Sequence, residues 1–201
     1  MGDGHGHYFD ASPTAASAPS TVRLVLPDVV LTLATDRGVF SGRRVDPGTK
    51  QLLLDAPDPP ASGTFVDLGC GYGPIACTLA ARRPSATVWA VDVNQRALDL
   101  CGANAAAHGL ANVVTALPEA VPDDLQVDLL WSNPPIRIGK AALHDLLASW
   151  LARLTPDGGA VLVVQKHLGA DSLQRWLQDQ GWSAERRGSR AGYRLLEVAR
   201  P

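Results

Sequence analysis

From Thr64 onward the chain alternates short apolar runs with stretches of helical periodicity, and few folds accommodate such an alternation. Phe65–Leu68 leads to a helix over Ile75–Arg82, and Thr87–Val91 leads to one over Gln95–His108. Val113–Ala116 is a weaker strand. Val127–Trp131 precedes a helix over Ala141–Arg153, and Ala160–Gln165 precedes one over Ser172–Gln180. Strands joined by crossover helices imply an α/β fold with a doubly wound, mostly parallel sheet. Trp182–Arg186 and Tyr193–Ala199 are separated only by a Gly- and Arg-rich turn, so an antiparallel hairpin should close one edge of a seven-stranded sheet.

At 201 residues this core leaves little room for a second domain. Residues 1–20, rich in Gly, Ala, Ser and Pro, read as a flexible arm. Residues 21–60 form a preface: a small hairpin from Thr21–Leu26 and Val29–Thr35, then a short helix opened by Asp46-Pro47-Gly48-Thr49 and stopped by Pro57, Pro59 and Pro60. Residues 61–201 form the main domain.

A hydrophobic share of 46% with 19% charged residues is that of a soluble globular chain, and no apolar run approaches a membrane span. Met1-Gly2-Asp3-Gly4-His5 lacks the basic start of a signal peptide, and three cysteines without metal-type spacing argue against a disulfide framework or a metal site. A reducing cytoplasm is the expected compartment. The net charge of −2 is not that of a chain gripping long nucleic acid indiscriminately, although charge can be local. Arg186, Arg187, Arg190, Arg194 and Arg200 face only Glu185 and Glu197 nearby, which reads equally as a solvated face or an RNA-facing patch.

The first predicted strand runs into Asp67-Leu68-Gly69-Cys70-Gly71-Tyr72-Gly73. Gly69, Gly71 and Gly73 suit a tight strand–turn–helix connection, where missing side chains let a ligand approach the backbone and helix N–H groups. Asp67 stands immediately before the loop, where it can meet a ligand ammonium directly or through water. Dinucleotide-binding loops more often lack that acid, so the pattern favours a cofactor bearing an amino acid. Cys70 falls inside the loop as a small residue, while Cys77 and Cys101 read as core.

The next strand ends at Asp92, 25 residues beyond Asp67 (92 − 67), close to the roughly 20-residue spacing of an acid that accepts ribose hydroxyls. Val93 adjoins it, and Asn94 can cap the helix that follows. Asn112 to Leu117 should supply an adenine edge contact, through backbone groups or Glu119.

Ser132-Asn133-Pro134-Pro135-Ile136 follows the buried run Val127–Trp131. An amine conjugated to a ring is a poor nucleophile because its lone pair is delocalised. The Asn133 side-chain oxygen and the Pro134 carbonyl can accept its two N–H bonds and localise that pair, with no covalent enzyme intermediate required. The prolines fix the backbone there.

Taken in order, Gly38-Val39-Phe40-Ser41, Asp46-x-Gly48-Thr49, Asp67–Gly73, Asp92 and Asn133–Ile136 resemble the class I S-adenosylmethionine-dependent methyltransferases of the small methyltransferase domain type, over about residues 36–166. Arg137-x-Gly139-Lys140 and Val164-Gln165-Lys166 are similar to its compact single-domain members. The group includes the guanine-N2 methyltransferases of 16S ribosomal RNA. The resemblance implies a Rossmann-like fold, S-adenosylmethionine as cofactor, and ribosomal RNA or the small subunit as partner. It assigns the cofactor to Asp67, Gly69, Cys70, Gly71, Gly73, Asp92, Val93, Asn133 and Thr49. The amine falls to Asn133 with Pro134, Pro135 and Ile136, and the substrate rim to Phe40, Arg137 and Lys140.

Many members carry an aromatic residue where this chain has Ile136, so the planar acceptor must find its π-face elsewhere, from Phe40 or Tyr8. Ile136 also argues against glutamine-N5 or adenine-N6 as acceptor. Against the lead reading stand two alternatives, an N-methyltransferase of a protein glutamine or small-molecule amine, the glutamine disfavoured by Ile136, and a non-catalytic RNA or ribosome-assembly module.

Overall fold

The computed structural model describes residues 17–41 and 44–201. Most of the expected arm, with His5, His7, Tyr8 and Phe9, lies outside the described residues.

Strands β1 (Ser20–Val25) and β2 (Val30–Thr35) pair antiparallel around Pro27-Asp28. Their alternation puts Leu24, Leu31 and Leu33 inward and Val25 and Val30 outward, so one face of the hairpin is buried. Helix α1 (Pro47–Asp55) starts where Asp46 accepts the Thr49 N–H, with Pro47 in the first turn.

The main sheet is built from β3 (Gly63–Leu68), β4 (Ala86–Val91), β5 (Val113–Ala116), β6 (Val127–Ser132), β7 (Leu154–Gln165), β8 (Ser183–Arg190) and β9 (Tyr193–Ala199). Their spatial order is β5-β4-β3-β6-β7-β9-β8, with the first five parallel and β9 antiparallel to both neighbours. Crossovers are made by α2 (Pro74–Arg82), α3 (Gln95–Ala107), α4 (Lys140–Leu151) and α5 (Ala170–Asp179). One face of the sheet packs with α2, α3, α1 and the hairpin through Phe65, Leu79, Leu98, Leu52 and Leu33. The other packs with α4 and α5 through Val66, Leu147, Leu151 and Leu177. Sheets covered on both faces bury consecutive strand residues, hence Phe65, Val66, Asp67 and Leu68 are all buried.

Asn104 ties the hairpin to this core. Its amide exchanges two hydrogen bonds with the Ala34 backbone (2.7 and 2.9 Å) and donates a third to the Tyr72 carbonyl (2.8 Å). A single α3 side chain thus fastens β2 and the glycine loop together.

Two strands are longer than their sequence signals. β7 begins at Leu154 rather than Ala160, because Leu154 already pairs with Val127 before a register shift carries the chain to Leu129↔Gly159. β8 reaches Arg190, because the turn is only Ala191-Gly192, both at positive φ (49° and 83°), and the Gly188-Ser189-Arg190 stretch is paired. A bulge near Arg187 absorbs the mismatch. Among the described residues no helix is long and apolar enough to cross a membrane.

Candidate active site at the carboxyl ends of the strands

The order of strands reverses between β3 and β6, so the loops leaving these two strands open a crevice at the sheet's carboxyl edge. The glycine loop is stitched to the end of β4: the Gly69 and Cys70 N–H groups both donate to the Val91 carbonyl (2.8 and 3.0 Å), and Gly71 N–H donates to Asp92 Oδ2 (2.9 Å). The three glycines then diverge in role. Gly69 (φ 78°) and Gly71 (φ 54°) have nothing within 4 Å of where a Cβ would stand, and both wall the cleft. Gly73 (φ 91°) caps α2, and a Cβ there would sit 2.6 Å from Cys101 Sγ. Gly73 serves packing, whereas Gly69 and Gly71 leave the cleft floor bare.

Asp67 lies beneath this floor, 0% exposed and absent from the cleft wall. Its Oδ2 accepts the Ala76 N–H at 2.8 Å, but Oδ1 has no partner among the described residues. Burial pushes the carboxyl up to about 8; the Ala76 hydrogen bond opposes this and the nearby Asp92 charge adds to it.

Asp92 does reach the cleft. Its Oδ2 accepts from Gly71 and its Oδ1 from Asn94 N–H (both 2.9 Å), which leaves each oxygen with further acceptor capacity. Burial raises its pKa above the ordinary value against the lowering by the Asn94, Gly71 and Val93 backbone N–H groups. Val93 and Pro118 continue the wall. Asn112 does not join it, since its amide donates to the Arg83 and Ala86 carbonyls (3.1 and 2.9 Å). Asn94 caps α3 by accepting the Ala97 N–H (3.3 Å), and it donates to the Gly38 carbonyl (3.0 Å). That second bond ties the segment carrying Val39 and Phe40 to the start of α3, and both residues wall the cleft.

Asn133 emerges from β6 opposite, where Ser132 Oγ locks the strand end to the Leu68 carbonyl (2.6 Å). Both hydrogens of the Asn133 amide are taken, by Asp46 Oδ2 (2.9 Å) and Thr49 Oγ1 (3.0 Å). The amide is therefore fixed with its oxygen as the remaining functional end. Pro135 (φ −75°, ψ 71°) centres an inverse γ-turn in which Ile136 N–H donates to the Pro134 carbonyl at 2.8 Å. One lone pair of that carbonyl is thus spent inside the loop and one is left. Ile136 and Arg137 line the cleft; Lys140 begins α4, exposed and outside its wall.

The cleft has a volume of about 300 Å³, and a recess of about 30 Å³ beside the glycine loop is walled by Ser41, Thr49, Cys70 and Tyr72 among others. Tyr72 presents a buried hydroxyl with no partner among the described residues. Among the cleft residues to which the sequence assigned no role are Gln165 at the end of β7 and Tyr193 at the start of β9. Asp46 was legible as the opening of a helix and as part of a family motif, without a role of its own in the site. Of the arginine-rich C-terminus, Arg187 pairs with Glu197 (3.0 Å), Arg194 with Asp171, and Arg200 bonds the Leu154 carbonyl (2.9 Å). Arg186 and Arg190 stay exposed on the edge strand. Among the described residues no group of three or more His, Cys, Asp or Glu side chains could hold a metal ion.

The methyltransferase small domain family matches residues 30–197. The chain is 34% identical to the Bacillus subtilis protein YbxB, over 86% of this chain and 88% of that one. It is 32% identical to the ribosomal RNA small subunit methyltransferase C of Shewanella piezotolerans, over 74% of this chain and 44% of the relative. Among solved structures, the T. thermophilus 16S rRNA N2 G1207 methyltransferase in complex with AdoMet and guanosine superposes with a TM-score of 0.79 at 23% identity, covering 94% of this chain and 52% of that one. The chain thus spans about half the length of the ribosomal RNA methyltransferases it matches.

Proposed function

The chain belongs to the methyltransferase small domain family, and from that premise we propose that it transfers a methyl group to an exocyclic amine, guanine N2 of 16S ribosomal RNA, with S-adenosylmethionine as cofactor. The observation that carries the reading is the Asn133 amide, oriented by Asp46 and Thr49 so that an acceptor oxygen remains at the cleft. The small-subunit RNA methyltransferases among its relatives support the choice of acceptor.

The residues present fit this cofactor. Asp67 does not reach the cleft; its Oδ2 accepts the Ala76 N–H and ties the end of β3 to the start of α2, which shapes the loop between them. Gly69 and Gly71 leave a floor that any side chain would fill, with Gly73 behind them setting the turn into α2. Cys70 and Thr49 wall the recess beside that floor, suited to the amino-acid end. Asp92 would accept the ribose hydroxyls, and Val93 and Pro118 would flank the adenine. When bound, S-adenosylmethionine supplies an electrophilic sulfonium methyl.

The chain's own part is positioning and electrostatics. Asn133 Oδ1 and the free lone pair of the Pro134 carbonyl accept the two N–H bonds of the amine, which localises the nitrogen lone pair. As the nitrogen takes the methyl group it gains positive charge, which the same two oxygens stabilise until its proton passes to water. Pro135 holds the Pro134 carbonyl through the γ-turn, and Ile136 offers an apolar floor beneath the ring. Phe40, Arg137 and Lys140 are the rim toward RNA, with Arg137 suited to a phosphate.

Tritiated S-adenosylmethionine supplied with small subunits, naked 16S RNA, total protein and free metabolites tests this directly. Label in RNA, at guanine N2 after nuclease digestion, is the expected result; label in protein or metabolites alone overturns the ribosomal acceptor.

A further inference from the structure

Ile136 stands where a stacking ring would be expected, and besides Phe40 a second aromatic residue lines the cleft, from the far end of the chain. Tyr193 opens β9 and is the register partner of Gln165, the last residue of β7, and both side chains wall the cleft with Asn133 and Ile136. The Tyr193 ring rests on α1: a Cβ on Gly48 would lie 2.6 Å from Cε1 and 2.7 Å from Cδ1, and only 2.9 Å from Asp46 Oδ2. The ring is therefore next to the carboxylate that orients Asn133. That closeness is also felt by its hydroxyl, whose pKa is raised by burial first and then by Asp46.

The hairpin tip carrying Tyr193 is anchored on both sides. The Lys166 N–H donates to the Gly192 carbonyl at 2.7 Å. The Gln51 amide of α1 pairs with both backbone groups of Arg190 (2.8 and 3.2 Å). Three hydrogen bonds at Arg190 and Gly192 hold the hairpin tip, and with it the ring, without a bond from the described residues to the Tyr193 hydroxyl. Beside it the half-buried Gln165 amide makes no hydrogen bond to the described residues, although a polar group so placed usually has a partner.

We propose that Tyr193 is the stacking platform for the planar acceptor and that Gln165 reads the edge of the ring next to the amine. This rests on the guanine reading above. A guanine whose N2 meets Asn133 and Pro134 presents N1–H and O6 next along the same edge, a donor and an acceptor. A planar amide answers both, accepting from N1–H and donating to O6. An adenine whose N6 meets Asn133 presents only the N1 acceptor there, so it satisfies half of the amide. Stacking is sequence-tolerant because every base has a π-face, and the amide then supplies the discrimination.

The full chain and its Tyr193→Leu, Tyr193→Phe and Gln165→Ala variants, saturated with S-adenosylhomocysteine, are titrated with guanosine and with adenosine by calorimetry. Affinity for S-adenosylhomocysteine and the melting temperature are recorded alongside. Tyr193→Leu should weaken guanosine at least tenfold while S-adenosylhomocysteine binds as before, and Tyr193→Phe should recover most of that loss. Gln165→Ala should weaken guanosine at least fivefold and adenosine by less than half that factor. Equal guanosine affinity in Tyr193→Leu and the parent overturns the platform, as does a Phe variant as weak as the Leu variant. Equal losses for both nucleosides in Gln165→Ala overturn the edge reading. Failure of the acceptor reading shows separately, as absence of tritium in RNA from the parent chain.

Discussion

The Asn133 amide nitrogen lies 2.9 Å from Asp46 Oδ2, and the same oxygen accepts the Thr49 N–H that starts α1. One carboxylate thus caps a helix and sets which end of the Asn133 amide is free. The residues that precede β3 are in this way part of the site.

Removing Asn133 takes away an acceptor but no part of the cleft floor. Asn133→Ala should bind S-adenosylmethionine nearly as the parent does while lowering methyl transfer at least tenfold. Calorimetry and a tritium transfer assay measure the two quantities, and near-normal turnover would sink the assigned role.

Asp46→Ala should act twice. Loss of the cap costs about 1 kcal/mol, which for a chain of this size lowers the melting temperature by roughly 2–4 °C. With Thr49 Oγ1 as its one remaining partner there, the Asn133 amide is less firmly oriented, so kcat should fall by more than KM changes. A variant that melts lower yet keeps full kcat would leave Asp46 with the cap alone.

Gly71→Ala and Gly73→Ala separate ligand space from packing. At Gly73 a methyl meets Cys101 Sγ at 2.6 Å, so the melting temperature should drop by several degrees. At Gly71 the methyl meets nothing in the protein within 4 Å and projects into the cleft, so cofactor affinity should suffer more than stability. Both pay for positive φ, about 1 kcal/mol each. The reverse ranking would mean that Gly71 does not face the ligand.

Asp92→Ala should weaken cofactor binding at least tenfold, since it removes the proposed ribose acceptor and releases the Gly71 N–H that shapes the loop. Asp92→Asn, which can still accept from Gly71, separates the two effects by isothermal titration. An unchanged affinity in both variants would reject the ribose assignment.

Asp67 gives the fold a pH dependence. Its carboxyl is raised from an ordinary 3.8 to about 8, chiefly by burial, so the folded chain holds a proton that the unfolded chain has lost between those values. The contribution is fully present below about 3.8 and declines as pH rises to about 8. Asp67→Asn should flatten the fall in melting temperature across that window, measured without cofactor. An identical slope in parent and variant would show that Asp67 is ionised in the folded chain.

Local sequence alone determined a great deal. Apolar runs of strand length, glycines at a strand–helix junction and helix caps at Asp46 and Asn94 are short-range signals, and they located every strand and α-helix from Gly63 onward, though not the short 3-10 turns at Pro118–Ala120, Ile136–Ile138 and Lys166–Leu168. They also marked Asp92 and Asn133 as strand-end residues, which both wall the cleft. Signals failed where structure depends on a partner strand: β7 and β8 run longer than their own residues suggest, because pairing with β6 and β9 extends them. Tertiary packing alone decided that Asp67 sits under the loop rather than in the cleft and that Gly73 faces Cys101 rather than a ligand. It alone brought Tyr193 and Gln165 beside Asn133. No periodicity links residues 60 positions apart (193 − 133); their meeting follows from β9 folding back antiparallel on β7, an arrangement set by the whole sheet.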